Sequence, residues 1–326
     1  MMRELPPLAG PAGARDQAGI ALIIVLWITT LLMLIASSFI YAMRTDVHIV
    51  ANSLARARLE ATADAAVQRG ILELLKPPQL PNRWSSDGVP QPWNYQGVAV
   101  DVSMTDESGK IDINTVSDVL LRGLFLAQGM KDEEVAAVTD AILDWRDPDS
   151  LKRLHGAEEA EYLAAGYSYK PANAAFQSIE ELRLVMGITP ELFNKVAPLI
   201  TIYSRQAGIN ASIASREVLR ALPGASEALI DQYIAQRELA RTAKLPLPQF
   251  APAAPYSSFA NGIVVVRAVA RGGEGNEGAS FAREAVVMRL ATPKRPYTFL
   301  RWKEFSAALP ISEAAGVRPT TPALPQ

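Results

Sequence analysis

The feature that most constrains this chain is an uncharged run from Gln17 to Met43, close to the N-terminus. Its core, IALIIVLWITTLLMLIASSFIYAM at residues 20–43, exceeds the roughly 20 apolar residues with which a helix crosses a bilayer. An ordinary secretory signal has a shorter apolar stretch of roughly 7–15 residues, so a simple export signal does not fit. The run therefore predicts one membrane-spanning helix, and a generic signal anchor remains an alternative for its purpose.

The residues after this run predict that the same helix continues to about Leu75. From Arg44 onward the chain has no proline before Pro77 and a single glycine, Gly70, and it is rich in helix-forming Ala, Leu, Arg and Glu. Residues at helical spacing fall near one largely apolar stripe: Val47, Val50, Leu54, Ala57 or Arg58, Ala61, Ala65 and Leu72. Such a helix, on the order of 80 Å long, would have its first half in lipid. Its amphipathic half would need a cover from the rest of the chain.

The remaining sequence alternates between strand-like and helical segments. After a Pro/Trp/Ser/Asn-rich loop at 77–94, residues 97–105 alternate apolar and polar, which predicts a half-buried strand. A helical stretch of about residues 115–245 follows. Strand-like runs then occupy 262–272 and 280–292, with a shorter one at 297–302. A lone strand before the helices needs partners from after them, because an isolated strand is not stable.

These segments predict an α+β fold in which the N-terminal helix, residues 20–75, packs on a small antiparallel sheet. The sheet domain would be formed by 76–112 and 246–306, and a large all-α domain, 113–245, would be inserted after the first strand. The Pro/Thr/Ala-rich tail, 307–326, is expected to be disordered.

Three segments inside the helical stretch share a plan that resembles helix-hairpin-helix units: residues 113–124, 176–200 and 209–222. In nucleic-acid-binding proteins such hairpins present backbone N–H groups to phosphates. Here the expected second hairpin glycine is Ser226, and the acidic Glu227 follows it. Lys and Arg are also not massed around these hairpins, as a phosphate-binding face requires. Protein contact is therefore favoured, no nucleic-acid partner is expected, and a membrane-anchored nucleic-acid binder remains the alternative.

The N-terminal layout resembles that of the type IV pilins and pseudopilins. That resemblance implies that residues 1–19 are a leader, which prepilin peptidase removes after Gly19, and that Ile20 becomes the N-methylated first residue. One position departs from the pattern, because most members carry a glutamate at the fifth mature position and this chain has Ile24. An apolar residue there suits a subunit with no neighbouring amine to neutralise, such as one at the fibre tip.

An acidic loop, DAILDWRDPDSLKRLHGAEEAEYLAAG at residues 140–166, is the most informative local motif. Asp144, Asp147 and Asp149 cluster around Pro148, and Glu158, Glu159 and Glu161 follow. Clustered carboxylates repel one another unless they are solvated or share a cation, and oxygen ligands on an irregular loop suit Ca²⁺. The spacing does not match an EF-hand. The alternative is a set of solvated and helix-capping acids, with Asp149 as an N-cap.

The same loop carries a closer resemblance, to the large minor pseudopilin family of type II secretion. The motifs that carry it are DESGKIDIN at 106–114, DAILDWRDPD at 140–149, GAEEAEY at 156–162 and FQSIEELRLV at 176–185. The resemblance implies calcium in the helical domain, and the acids in the matching motifs are Asp144, Asp147, Asp149, Glu158 and Glu161. The sequence leaves open which of them bind the ion. Asp106, Glu107 and Asp112 are expected to be turn and cap residues.

By this resemblance the chain would form the tip of the type II secretion pseudopilus, starting its assembly and capping it while folded proteins are exported across the outer membrane. It would be a single-pass protein of the inner membrane, with a cytoplasmic N-terminus and a periplasmic C-terminal domain. Its expected partners are smaller minor pseudopilins and prepilin peptidase, with secreted substrates as further candidates. The residues expected to pack against partner helices are Ile24, Leu31, Val47, Val50 and Leu54. A minor pilin of a type IV pilus is an alternative.

Composition argues against an enzyme. The chain has no cysteine, which excludes disulfides, thiolate metal sites and cysteine catalysis, and its two histidines are His48 and His155. It contains no G-x-S-x-G, H-E-x-x-H or phosphate-binding glycine loop. A net charge of −2 gives no general attraction to polyanions.

Overall fold

The computed structural model describes residues 17–77, 80, 82–273 and 278–305. Most of the predicted leader and the predicted disordered tail lie outside these residues. The chain divides into two compact units whose boundary falls between Arg58 and Leu59, inside the first helix.

The first helix, α1, runs from Gln17 to Leu75 and ends at the residue where the sequence predicted its end. In the first unit its side chains from Ala21 to Leu54 are all exposed. In the second unit its last four turns are amphipathic and bury one face, because this part of the helix packs on a sheet. Its predicted stop signal includes Pro78, which lies outside the described residues.

Seven strands are described: β1 Gln91–Tyr95, β2 Val98–Asp106, β3 Ile111–Asp112, β4 Ile200–Thr201, β5 Ile263–Arg271, β6 Ser280–Thr292 and β7 Arg295–Glu304. Five of them form an antiparallel sheet in the order β1-β2-β5-β6-β7. The strands β2, β5, β6 and β7 confirm the four strand-like runs of the sequence. The antiparallel sheet and the long apolar helix confirm the coarse α+β prediction.

The first hydrophobic core lies between α1 and this sheet. Val98, Val100, Val102 and Met104 are buried and face the helix, as their alternation in the sequence predicted. Gly70 lets the helix approach closely, because a Cβ at this position would lie 2.6 Å from Val266 Cγ1 on β5. A larger residue would push helix and sheet apart.

The predicted buried stripe on α1 is wrong for its C-terminal residues, Ala61, Ala65 and Leu72. Leu72 and Ala61 are exposed and Ala65 is half-buried. The residues that face the sheet are Leu59, Ala63, Ala66, Val67, Ile71 and Leu74. In an alanine-rich helix several neighbouring stripes have similar apolar content, so periodicity alone does not select among them. The close approach at Gly70 decides which stripe is buried.

Between β2 and β5 the chain is helical and has a second hydrophobic core, drawn from residues 111–253. Its helices are α2 Asp118–Ala127, α3 Asp132–Arg146, α4 Glu159–Ala164, α5 Pro190–Val196, α6 Arg216–Arg220 and α7 Glu227–Thr242. Short 3₁₀ segments lie at Glu107–Gly109, Ile179–Leu184, Ala197–Leu199 and Ala251–Tyr256. The long stretch expected at 115–245 is thus a set of short helices. The inserted-domain boundaries and the repeat relation stay predictions.

Two further details differ from the sequence prediction. The strand β1 lies in the segment expected to be a loop, and the short parallel pair of β3 and β4 was not expected. Ser226, the residue in place of a hairpin glycine, is the N-cap of α7, and its Oγ accepts from the Leu229 N–H. The left-handed turn before it is made by Gly224, with a φ of 75°. Asp106 is a cap as expected, accepting from the Ser108 N–H.

Candidate functional sites: an acidic loop and an apolar helix surface

Two aspartates on α3 anchor the acidic loop. Asp140 and Asp144 lie one helical turn apart and are both buried. The backbone N–H of Arg153 donates to both oxygens of Asp144, at 3.3 and 3.2 Å, and the N–H of His155 donates to Asp140 Oδ2 at 3.1 Å. Gly156 passes directly over Asp144, since a Cβ there would lie 1.9 Å from Asp144 Oδ2. The loop after α3 is therefore folded back onto these two carboxylates.

Two basic side chains of the loop point at the predicted calcium ligands. Arg153 Nε lies 3.3 Å from Asp144 Oδ1, and its Nη2 lies 3.1 Å from Asp147 Oδ2. Lys152 Nζ lies 2.8 Å from Glu161 Oε1. The acidic cluster is therefore partly neutralised by its own chain.

The other predicted ligands take part in local turns. Asp149 Oδ1 accepts from the Leu151 N–H at 2.9 Å, and no helix begins at Asp149, so its prediction as an N-cap is wrong. The N-cap role belongs to Glu158, which precedes α4 and forms a capping box with Glu161. In that box Glu161 Oε2 accepts from the Glu158 N–H at 3.1 Å. An N-cap residue directly precedes its helix, and α4 begins at Glu159, so Glu158 rather than Asp149 holds that position.

Burial, neighbouring charges and hydrogen bonds shift the pKa values of three carboxylates in the loop. Burial raises the pKa of Asp144, and the charge of Asp147 adds to this rise while Arg153 opposes it. Burial also raises the pKa of Glu158, and the charges of Asp144, Asp147, Asp149 and Glu161 raise it further. The hydrogen bond from Lys152 lowers the pKa of Glu161. The charges of all four other predicted ligands therefore raise the pKa of Glu158.

The donor set fits calcium in chemistry, although the side chains are not gathered around one point. Within the described residues, no three Asp, Glu or His side chains converge closely enough to hold a metal ion. Two oxygens of the set, Asp147 Oδ1 and Glu158 Oε1, are however buried without a hydrogen-bond donor, as is Asn173 Oδ1. Buried oxygens that lack a donor are the ligands that a hard cation takes. The calcium assignment stays a prediction.

Sequence reasoning missed three residues that shape this site: Asp140, Arg153 and Gly156. Asp140 stands four positions before Asp144, a spacing that places both on one face of a helix. Arg153 and Gly156 offered no comparable signal, because their contacts with Asp144 exist only once the loop has folded back.

The second candidate site is the exposed apolar surface of α1. The residues predicted to pack against partner helices, Ile24, Leu31, Val47, Val50 and Leu54, are 52 to 70% exposed. In the described part of the chain, one helix is long and apolar enough to cross a membrane, and its most apolar window has no buried residue. The apolar surface continues past Arg44 with Val47, Val50 and Leu54, beyond the predicted span. Gly19 and Ile20 lie within α1, and their processing stays a prediction.

The long helix whose C-terminal part packs on an antiparallel sheet has a counterpart among solved structures. A solved structure with this fold is the crystal structure of the GspK-GspI-GspJ complex from the enterotoxigenic Escherichia coli type 2 secretion system. It has a TM-score of 0.54 and 19% sequence identity, and the match covers 77% of this chain and 95% of that one.

The sequence comparisons match one family over part of the chain. Residues 102–205 match the family described as type II secretion system (T2SS), protein K. Type II secretion system protein K of Pseudomonas aeruginosa strain PAO1 is 27% identical over 243 residues, which are 67% of this chain and 72% of that protein. The protein of the same name from Aeromonas hydrophila is 26% identical, covering 57% of this chain and 63% of that protein. Over these stretches the chain is similar to the type II secretion system protein K family, and it shares its fold with the solved GspK-GspI-GspJ complex.

Proposed function

We propose that this chain forms the tip of the type II secretion pseudopilus, where it initiates assembly and caps the fibre during export of folded proteins across the outer membrane. The observation that carries the proposal is the apolar surface of α1, which stays exposed on both sides of Arg44. Large exposed apolar patches mark lipid or protein contacts. A fibre subunit must sit in the bilayer before assembly and pack against neighbouring helices afterwards. One exposed apolar helix surface can make both contacts.

In this proposal residues 20–43 span the inner membrane once, with the leader in the cytoplasm and the sheet and helical segments in the periplasm. Prepilin peptidase cuts between Gly19 and Ile20. The mature fifth residue, Ile24, is apolar, so it has no carboxylate with which to attract the amine of another subunit. A subunit that does not need this pairing fits the end of the fibre, where there is no neighbour on one side.

The partners are the smaller minor pseudopilins of the same system. The structural relative was solved as a complex with GspI and GspJ, which supports partners of this kind. Their helices would pack on the side chains of Val47, Val50 and Leu54, which are 63, 67 and 70% exposed. The helical segment between β2 and β5 supports the capping role, because its bulk far exceeds what the connection between two neighbouring strands requires.

The acidic loop would bind calcium through some or all of Asp144, Asp147, Asp149, Glu158 and Glu161. The donor-less oxygens of Asp147 and Glu158 support this assignment. Bound calcium would supply charge neutralisation for these carboxylates. The chain itself already holds the loop in place, through the Arg153 and His155 N–H groups on the two anchoring aspartates. The ion would therefore tighten a loop that the backbone has already positioned.

The proposal predicts that Val50→Asp disrupts the tip. The substitution puts a charge into an apolar helix contact, which is costly when the charge has no partner, and we expect at least about a tenfold loss of the partners that co-purify. The full chain is produced with prepilin peptidase and the smaller minor pseudopilins in cells that lack the native gene. Co-purification and secreted protein are then measured, and intact mass reports cleavage after Gly19.

The matched control is Asn52→Asp. Asn52 is also exposed and lies roughly on the opposite side of the helix, so it adds the same charge away from the proposed contact. This variant should retain partners and secretion. If Val50→Asp matched the wild type in both measurements, the helix contact and the tip assignment built on it would be wrong.

A further inference from the structure

The guanidinium of Arg153 contacts both Asp144 and Asp147, so it occupies the position that a cation bound by these two carboxylates would take. We propose that Arg153 is a built-in competitor of the divalent cation, which neutralises these two carboxylates in the ion-free loop and sets the affinity of the site. The inference rests on the calcium binding proposed above and concerns its regulation.

The geometry supplies the first step. The guanidinium of Arg153 bridges Asp144 and Asp147, with Nε 3.3 Å from one carboxylate and Nη2 3.1 Å from the other. Calcium binds carboxylate oxygens at roughly 2.3–2.6 Å and repels a positive charge held on the same oxygens. The ion and the guanidinium therefore cannot share both carboxylates, and binding of one requires the other to leave.

The charge balance supplies the second step. The five predicted ligands carry five negative charges, and the ion pairs of Arg153 and Lys152 offset two of them. The remaining negative charge still attracts a divalent cation, and the donor-less oxygens of Asp147 and Glu158 remain unsatisfied. The loop is thus neutral enough to fold without an ion and acidic enough to bind one.

The third step is that the exchange needs little rearrangement. The side chain of Arg153 is 45% exposed, so the guanidinium can swing into water while the Arg153 N–H stays on Asp144. The side chain of Lys152 is 44% exposed and can leave Glu161 in the same way. Both basic groups are therefore displaceable, whereas the anchoring backbone hydrogen bonds are not part of the exchange.

The test is Arg153→Gln, which removes the charge and retains a polar side chain of similar length. Calcium chloride is titrated into the full chain in detergent by isothermal calorimetry, and thermal unfolding is followed in EDTA and in calcium. We expect calcium to bind up to about fivefold more tightly to the variant, since the ion no longer has to displace the partly exposed ion pair of Arg153. In EDTA the variant should melt earlier, because two carboxylates lose their counter-ion.

The matched control is Lys170→Gln. Lys170 pairs with Glu159 at 3.1 Å, outside the predicted ligand set, so it changes the net charge equally without freeing a ligand. Its calcium affinity should stay within about twofold of the wild type. Arg153→Lys retains the charge but cannot bridge two carboxylates, and it should fall between wild type and Arg153→Gln.

Each outcome decides the point. Tighter binding by Arg153→Gln than by wild type and Lys170→Gln supports the competitor, as does binding by the variant alone. Equal or weaker binding beside a wild type that binds calcium overturns the competitor and leaves the calcium assignment standing. No binding by either protein overturns both, and the tip assignment is then judged separately on Val50→Asp.

Discussion

Replacing Gly156 by alanine is the sharpest test of how the acidic loop closes over α3. The added Cβ would lie 1.9 Å from Asp144 Oδ2 and 2.7 Å from Asp144 Cγ, far inside the ordinary contact distance. The carboxylate cannot retreat, because the Asp144 side chain is fully buried and both of its oxygens accept from the Arg153 N–H. The loop must therefore lift away from the helix.

The cost follows from what the lifted loop gives up. A hydrogen bond to a charged group contributes about 1.5–3 kcal/mol, and the buried Asp144 carboxylate would lose at least the one from Arg153. The gain from a stiffer unfolded chain offsets only about 0.4–1 kcal/mol of this. We expect a net loss of about 1–2 kcal/mol in the free energy of unfolding. For a folded region of this size, that lowers the melting temperature by roughly 2–8 °C.

The assay is thermal unfolding of the full chain in detergent with EDTA, followed by circular dichroism. Gly273→Ala is the control, because a Cβ at Gly273 meets nothing within 4 Å, and it should melt like the wild type. In an Asp144→Ala background the clashing carboxylate is gone, so Gly156→Ala should add little further loss. A Gly156→Ala protein that melts with the wild type, or a loss that is fully additive with Asp144→Ala, would refute this account of loop closure.

Two further substitutions test the sheet. Gly70→Ala would place a Cβ 2.6 Å from Val266 Cγ1, so we expect overpacking of about 1–3 kcal/mol to outweigh a helix-propensity gain of about 1 kcal/mol. Thermal melts should show a loss that shrinks in a Val266→Ala background. Burial raises the pKa of Glu284, but Arg267 at 2.7 Å and Lys303 at 3.1 Å outweigh it and hold that pKa below its ordinary 4.5. This carboxylate therefore stabilises the fold above pH 4.5 and loses its contribution as pH falls through the lowered pKa. Glu284→Gln should reduce the melting temperature at pH 7 and match the wild type near pH 2; an equal deficit at both would contradict the assignment.

The sequence predicted the strands that either alternate or carry a run of apolar residues, and it missed those that do neither. β2 alternates because one of its faces is buried against α1, whereas β5 and β6 carry apolar runs that are buried on both faces. By contrast β1, with the sequence QPWNY, contains a proline and lies at the sheet edge, where exposed positions remove the alternation. The two-residue strands β3 and β4 pair across a long stretch of chain, and a local pattern of that length carries no signal.

The length and the end of α1 could be predicted from the sequence, whereas its buried face could not. Its length and end followed from an uninterrupted run of helix formers before Pro77. Its buried face did not follow, because Leu72 looked like a core residue and is 53% exposed. Gly70 is the position that permits contact with Val266, and the partner of a glycine cannot be recognised until the strand that packs on it is known.

The acidic loop shows why a count of carboxylates overstates what a sequence establishes about a cation site. The spacing of acids around Pro148 marked a place of concentrated negative charge, and in the folded loop burial raises the pKa of Glu158 while four neighbouring carboxylates raise it further. Lys152 and Arg153 stand in the same loop and would be taken from sequence as solvated residues. Once the loop folds back onto Asp144, the same two side chains become counter-ions of the predicted ligands. If calcium binds this loop through Asp144 and Asp147, as proposed, its affinity depends on Arg153 as much as on the acids, because the ion must displace a guanidinium that already pairs with both carboxylates.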